Sequence, residues 1–239
     1  DLLLKIKSVA GIDPLRLKHR AAEPVKVSRP TQYTPTIPST NRRLPQQRIE
    51  VVAIGTSTGG PNALQNVLTK LPKNFPVPIL VAQHMPVGFT ASLANRLDGL
   101  CQINVKEVED GEVLKAGTAY VGVAGKQFSL TRKGSLLAAR VSDESLIATF
   151  YRPSVDIMFM SLAEQVGAGV LAVVMTGMGS DGLLGTKKLK AKGAFAIAES
   201  EQTCIVYGMP KSIVEAGLAD RVETLPNIAK VIMECVERR

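Results

Sequence analysis

One segment, residues 51–71, constrains the fold of this chain more than any other. It opens with four apolar, mostly β-branched residues, Val51 to Ile54, which is typical of a buried strand. A glycine-rich stretch, Gly55–Gly60, follows, and Pro61 then suits the first position of a helix. The apolar residues beyond it recur with the spacing i, i+3, i+4, i+7 of one helix face: Leu64, Val67, Leu68 and Leu71. The segment therefore predicts a strand–turn–helix unit of an α/β sheet.

Ser57 lies at the tip of the predicted turn, with one glycine two residues before it and another two residues after it. Small residues at this spacing allow a sharp turn that exposes a nucleophilic hydroxyl, and the helix N-terminus behind it can stabilise negative charge. Two other interpretations stay open, namely an anion-binding loop and a structural turn. A phosphate-binding P-loop is disfavoured because Pro61 and Asn62 stand where that loop needs Lys and Ser or Thr. The dinucleotide fingerprint fails as well, since Ser57 replaces its second glycine.

Composition and charge exclude several classes of protein. The 239 residues are 45% hydrophobic but only 4% aromatic, which disfavours a base-stacking nucleic-acid surface. The net charge of +8 lies almost entirely in residues 1–48, where ten Lys and Arg face three acids, whereas the rest of the chain carries 19 against 18. No apolar run is long enough to cross a membrane, and three widely spaced cysteines suggest free thiols in a reducing compartment. We therefore expect a cytoplasmic protein without membrane insertion or a nucleic-acid partner.

The basic N-terminal part divides into two segments. Residues 1–10 have apolar side chains on one helical face and precede Gly11, which predicts a short helix. Residues 11–48 hold six of the 14 prolines and no sustained apolar period, which is typical of a linker. We interpret this arrangement as the last helix of an upstream domain followed by a linker, with a folded domain at residues 49–239.

Strand and helix patterns alternate from residue 49 onward. Buried strands are predicted at 51–54, 77–82, 170–175 and 194–198, with helices between and after them. Residues 101–151 contain five glycines among short alternating runs, which predicts antiparallel hairpins. The expected fold is α/β: a doubly wound, mostly parallel sheet with helices on both faces and a small antiparallel hairpin insertion.

Three polar residues follow the carboxyl ends of three different predicted strands: Ser57, His84 and Asp181. In a parallel sheet the ligand crevice lies at that edge, so we expect these side chains to meet there. His84 is the only histidine outside the linker, and it is therefore the candidate general base for Ser57. Asp181 is favoured over the other aspartates to orient the imidazole because it lies in a glycine-rich loop after a core strand; the competitors are Asp98, Asp110 and Asp156. No carboxylate–histidine cluster suggests a metal, and we expect no cofactor.

The order Ser, His, Asp differs from that of the α/β-hydrolases, but five ordered motifs resemble another family. They are Gly55-Thr56-Ser57-Thr58-Gly59-Gly60, Gln83-His84-Met85-Pro86, Arg152-Pro153-Ser154-Val155-Asp156, Thr176-Gly177-Met178-Gly179-Ser180-Asp181-Gly182 and Gly208-Met209-Pro210. Over residues 49–239 the chain resembles the protein-glutamate methylesterases of bacterial chemotaxis, the CheB family. The family joins a receiver domain, a linker and this catalytic domain, so residues 1–10 resemble the last receiver helix.

The resemblance implies a serine carboxylic-ester hydrolase. Ser57 would attack the γ-methyl ester of a glutamate on the cytoplasmic helix of a methyl-accepting chemotaxis receptor, His84 would move the proton, and Asp181 would fix the imidazole tautomer. The backbone N–H of Met178 would help to hold the oxyanion, with Thr58 close to the substrate. Family members also deamidate receptor glutamines, and their receiver domain blocks access to the active site while it is unphosphorylated.

A second interpretation from a different class of protein stays open on the residues alone. The Gly55–Gly60 loop at a helix N-terminus would also suit a non-catalytic module that binds an anion or a nucleotide.

Overall fold

The computed structural model describes residues 44–145 and 147–237 and centres on a parallel sheet. In chain order the strands are β1 (Val51–Thr56), β2 (Ile79–Gln83), β3 (Asn104–Glu107), β4 (Thr118–Val121), β5 (Gln127–Lys133), β6 (Leu136–Ser142), β7 (Val170–Val174), β8 (Phe195–Glu199) and β9 (Arg221–Glu223). The central sheet has the order β3-β4-β2-β1-β7-β8-β9, and all of its neighbouring pairs are parallel.

Helices cover both faces of the sheet. In chain order they are α1 (Gly60–Leu68), α2 (Phe89–Asp98), α3 (Val155–Gln165), α4 (Leu183–Ala191), α5 (Met209–Glu215) and α6 (Leu225–Val236). Apolar residues of α1, α2 and α6 pack in one core cluster, and those of α3, α4 and α5 pack in a second cluster on the opposite face. The doubly wound sheet expected from the sequence is thereby confirmed.

Strand β1 shows why these residues form a central strand. All six of its residues are buried, and the first four alternate between the two core clusters, with Val52 and Ile54 in one and Val51 and Ala53 in the other. Side chains of a strand point alternately to its two faces, so a strand covered on both sides is apolar at nearly every position. This explains the continuous apolar run at the start of the sequence pattern.

The region 101–151 differs in part from its prediction. Strands β5 and β6 form the expected antiparallel hairpin, which turns at Gly134 with a φ of +62°. Strands β3 and β4, however, pair in parallel with each other and extend the central sheet beside β2, so the prediction of hairpins throughout this region was wrong. Both strands have only four residues, and the positive-φ glycines between them look like hairpin turns in the sequence although they shape a crossover.

The chain changes direction in the sheet at β1. From β1 it runs outward through β2 on one side, and it returns to place β7 on the other side of β1. A crevice therefore opens at the carboxyl ends of β1, β2 and β7, which is where α/β sheets bind ligands.

The helix predicted at residues 1–10 and the linker up to residue 43 lie outside the described residues. Of the predicted linker, residues 44–48 are described, and Leu44 is partly buried against the core. Within the described part of the chain, no helix is both long and apolar enough to cross a membrane.

Candidate active site

Ser57 occupies the sharp turn between β1 and α1. Its N–H donates to the carbonyl of Thr176 at 3.0 Å, and its own carbonyl accepts from the N–H of Gly60 at 2.8 Å. The turn needs glycine at Gly59, whose φ of +84° lies in the left-handed region that disfavours a Cβ. The turn leaves Ser57 half-buried, so its side chain stays within reach of a substrate.

The loop 176–182, which follows β7, closes against this turn. A Cβ added to Gly177 would lie 2.8 Å from the Cβ of Ser57, so only glycine permits the approach. The loop is held from its other side, because the N–H of Gly177 donates to the carbonyl of Val206 at 3.0 Å and its carbonyl accepts from the N–H of Met209 at 2.9 Å.

His84 follows β2 and lies beside Ser57. Thr56 and Gln83 are paired in the register of β1 and β2, so Ser57 and His84 each come one residue after a paired position. Neighbouring strands are about 4.8 Å apart, which places these two residues side by side at the sheet edge. The N–H of His84 also donates to the carbonyl of Thr56 at 3.2 Å.

The side chain of Gln83 joins the main chains of these two residues. Its Nε2 donates to the carbonyl of Ser57 at 2.9 Å and to the carbonyl of His84 at 2.8 Å. Gln83 is only 1% exposed, and a Cβ on Gly60 would lie 1.9 Å from its Oε1. The glycine at the start of α1 therefore makes room for an amide that clamps Ser57 and His84 in a fixed relation.

Asp181 holds the other side of His84. The Nε2 atom of His84 lies 2.8 Å from Oδ2 of Asp181, whose side chain is almost completely buried. The carboxylate also accepts from Ser154 Oγ at 2.9 Å, from the N–H of Val155 at 2.7 Å and from the N–H of Asp156 at 3.0 Å. Four donors thus converge on one carboxylate at the N-terminus of α3.

These donors keep Asp181 ionised. Burial opposes the charge, but the hydrogen bonds from His84 and from the N–H groups of Asp156 and Val155 outweigh it and hold the pKa of Asp181 below its ordinary value. The helix N-terminus acts in the same direction. An ionised carboxylate only accepts hydrogen bonds, so Nε2 of His84 carries the proton of this bond.

The tautomer of His84 follows from that bond. When the neutral imidazole has its proton on Nε2, its Nδ1 atom has a free lone pair. Nδ1 is buried and has no hydrogen-bond partner among the described residues. It is therefore the ring nitrogen that can accept a proton.

Asp156 forms no hydrogen bond or ion pair with His84. Its Oδ1 accepts instead from the N–H groups of Gly182 and Gly185, at 2.9 and 2.7 Å, and so caps the N-terminus of α4. Burial, reinforced by the neighbouring charge of Asp181, raises the pKa of Asp156 to about 6 although those two N–H groups act in the opposite direction.

The other two competing aspartates serve as acceptors elsewhere in the fold. Asp98 accepts from the N–H of Val105, and Asp110 accepts from the N–H of Val141. Of the aspartates considered, the structure joins Asp181 to the imidazole.

Met178 and Thr58 lie in the two loops at the same sheet edge. Both are exposed, and Met178 has 66% of its surface accessible. Within the described part of the chain, the backbone N–H groups of both residues donate no hydrogen bond to the protein. They are therefore available to an incoming oxygen atom.

Two residues of the site, Tyr151 and Ser154, have no assigned role in the sequence prediction. Ser154 lies within a motif that carried the family resemblance, and its hydroxyl donates to Asp181. The ring of Tyr151 stacks on the imidazole of His84 with 4.1 Å between ring centroids. No sequence signal marks Tyr151, because its contact depends on how the segment before α3 folds back over β2.

Comparisons with known proteins show which family the chain resembles. The profile of the CheB methylesterase domain matches residues 52–232. The chain is 54% identical to a protein-glutamate methylesterase/protein-glutamine glutaminase of Desulfitobacterium hafniense over 98% of its own length and 62% of that protein. It is 45% identical to a protein of the same name from Halalkalibacterium halodurans over 98% of its own length and 64% of that protein.

A solved structure shows the same fold. The crystal structure of the Thermotoga maritima CheB methylesterase catalytic domain superposes with a TM-score of 0.76 at 42% sequence identity. The match covers 79% of this chain and 99% of that domain. The chain thus spans less than two thirds of the two full-length relatives but contains nearly the whole of the solved domain.

Proposed function

Because the chain belongs to the CheB methylesterase family, we propose that it hydrolyses the γ-methyl esters of glutamate residues on methyl-accepting chemotaxis receptors. One observation carries the proposal. Nε2 of His84 is bonded to a buried carboxylate, its Nδ1 has no hydrogen-bond partner among the described residues, and His84 lies beside Ser57 at the sheet edge. A serine, a base with a free lone pair and a fixed carboxylate are the parts that acyl transfer requires.

The reaction begins with the attack of Ser57 Oγ on the ester carbonyl carbon, while Nδ1 of His84 takes the hydroxyl proton. The tetrahedral intermediate then collapses, and the imidazolium returns the proton to the departing methoxide, which leaves as methanol. Water attacks the resulting acyl-enzyme with the same imidazole as base. The products are a glutamate carboxylate and free Ser57.

Asp181 keeps the ring in the tautomer that this sequence of proton transfers needs and stabilises the imidazolium while it exists. The N–H groups of Met178 and Thr58 are the proposed donors to the oxyanion. A single such donor is worth about 2.7–4 kcal/mol in another serine hydrolase.

Glutamine deamidation on the same receptors uses the same steps, with ammonia as the leaving group. The names of the two full-length relatives include both activities. Since the substrate glutamates lie on cytoplasmic helices of the receptors, we place the protein in the cytoplasm. A receiver domain joined in cis through the linker at residues 11–48 is the proposed regulator of the domain at 49–239.

The test is methanol release from membranes that carry methylated receptors, together with labelling by a serine-directed phosphonofluoridate. We expect methanol release and a covalent adduct on Ser57. A protein that binds phosphate or a nucleotide at the Gly55–Gly60 loop, releases no methanol and leaves Ser57 unlabelled would instead be the binding module considered above.

A further inference from the structure

Tyr151 covers one face of the imidazole of His84. The two ring centroids are 4.1 Å apart and the ring planes differ by only 4°, which is a parallel stack. The side chain of His84 is 10% exposed, although the residue lies at the open edge of the sheet. Part of the shielding of the imidazole therefore comes from a residue outside the proposed triad.

A residue of the β5–β6 hairpin holds the main chain of Tyr151 in place by a hydrogen bond. Nε2 of the buried Gln127, in β5, donates to the carbonyl of Tyr151 at 2.9 Å, and Oε1 of the same side chain accepts from the N–H of Ser154 at 3.0 Å. The N–H of Gly125 also donates to the carbonyl of Arg152 at 3.0 Å. The hairpin insertion thereby holds the segment 151–154 against the sheet edge.

The far end of the Tyr151 ring approaches the loop 176–182. A Cβ built on Gly179 would lie 3.2 Å from the Tyr151 hydroxyl. The ring therefore extends from the imidazole to the loop that carries Met178. With 37% of its surface exposed, Tyr151 has room for conservative replacement.

A hydrogen bond at one nitrogen leaves an imidazole free to tilt about that bond, whereas a parallel aromatic ring restricts its plane. We propose that Tyr151 is a positioning residue that, together with Asp181, fixes the plane of the His84 imidazole, whose Nδ1 is the proposed proton acceptor for Ser57. The aromatic face also favours the cationic imidazolium that forms during proton transfer. This inference rests on the proposed role of His84 as the base.

The kinetic test compares three variants in the methyl-ester assay. Tyr151→Leu removes the stacked ring and should lower kcat about tenfold with little change in KM. Tyr151→Phe keeps the ring and should retain nearly all activity. Phe150→Leu is the matched control, because Phe150 is a fully exposed neighbouring aromatic residue. Tyr151→Leu with the kcat of the wild type would overturn the inference.

The second readout does not depend on turnover. The chain has two histidines, so a His19→Ala background leaves His84 as the only imidazole in an NMR spectrum. We expect a protected Nε2 proton signal in the parent and in Tyr151→Phe, and its loss through solvent exchange in Tyr151→Leu. A lower kcat with unchanged imidazole signals would overturn the positioning role, since Tyr151 would then act on the substrate. If the parent itself released no methanol, the proposed function would fail, and the spectra would still decide whether Tyr151 orders the ring.

Discussion

Asp156 and Asp181 each accept hydrogen bonds from the N-terminus of the helix at which the other residue lies. Asp156 lies in the first turn of α3 and accepts hydrogen bonds from the N-terminus of α4, whereas Asp181 lies just before α4 and accepts from the N-terminus of α3. Two carboxylates and two helix N-termini therefore meet in a buried cluster. The two carboxylates nevertheless differ. Asp181 alone of the pair is bonded to His84 and has a lowered pKa, whereas burial raises the pKa of Asp156.

Asp156→Asn should stabilise the protein near neutral pH. The raised pKa, from 3.8 to about 6, means that the folded state binds more protons than the unfolded state between these values. Stability contributed by this group is therefore present at low pH and is lost as the pH rises toward 6. Asparagine keeps an oxygen for Gly182 and Gly185 without the charge, so we expect a gain of roughly 1 to 3 kcal/mol at pH 7.

Urea unfolding of both proteins at pH 4 and pH 7 measures this effect. The difference in unfolding free energy between Asp156→Asn and the wild type should be larger at pH 7 than at pH 4. A variant that is less stable than the wild type at pH 7 would show that the charge of Asp156 is stabilising.

Asp181→Asn should remove most of the activity and leave the fold intact. An asparagine at this position can present an N–H to Nε2, which favours the imidazole tautomer with its proton on Nδ1 and thereby blocks the base. The equivalent change costs about 10⁴ in kcat in a serine protease, and we expect about 10³ here because methoxide is a better leaving group than an amine. Asp156→Asn is the matched control, with activity close to that of the wild type. Equal losses in the two variants would show that both act through the fold.

Loss of the two hydrogen bonds that the Gln83 amide donates should lower kcat. Gln83→Met keeps a similar volume but leaves the carbonyls of Ser57 and His84 without the donor they share, at a cost of about 1–3 kcal/mol in stability. Since the two proposed catalytic residues then lose a shared support, kcat should fall more than tenfold while KM changes little. Gln65→Met, on the partly exposed surface of α1, is the control. A Gln83→Met protein with normal kcat would limit the role of the amide to stability.

Gly177→Ala should lower kcat strongly although it adds only one methyl group. The new Cβ would lie 2.8 Å from the Cβ of Ser57 and 2.4 Å from Sδ of Met209, so Ser57, Met209 or the loop must move. Displacements near 1 Å can cost about 10²-fold in rate. Gly99→Ala provides the comparison, since its new Cβ would come no nearer than 3.8 Å to any atom outside Gly99 and its two chain neighbours, and its φ is −66°. Full activity of Gly177→Ala would mean that the loop adjusts freely.

The sequence predicts most of the fold because its strongest patterns are local. Strands β1, β2, β7 and β8 consist mainly of continuous apolar runs, and α1, α2 and α3 carry apolar residues at helical spacing, so these elements can be identified without knowledge of their neighbours. Strands β3 and β4 are short and flanked by turn-forming glycines, and their parallel pairing depends on contacts distant in the chain. That pairing could not be deduced from their own residues.

The same distinction applies to the site. Ser57, His84 and Asp181 could be selected because each follows a recognisable strand, and the structure brings them to one edge; their roles stay predictions. Which nitrogen of His84 faces Asp181 depends on side-chain packing, which no spacing rule describes. The stacking of Tyr151 on His84 depends on where the β5–β6 hairpin packs, which local sequence patterns do not predict.

The most direct test of the account is methanol release from methylated receptor membranes by Ser57→Ala. The matched control is Ser180→Ala, which removes an exposed serine hydroxyl from the loop 176–182 at the same sheet edge. Circular dichroism establishes that both variants are folded. We predict no methanol above background for Ser57→Ala and a rate near that of the wild type for Ser180→Ala. A folded Ser57→Ala protein that still releases methanol at the wild-type rate would contradict the proposed mechanism.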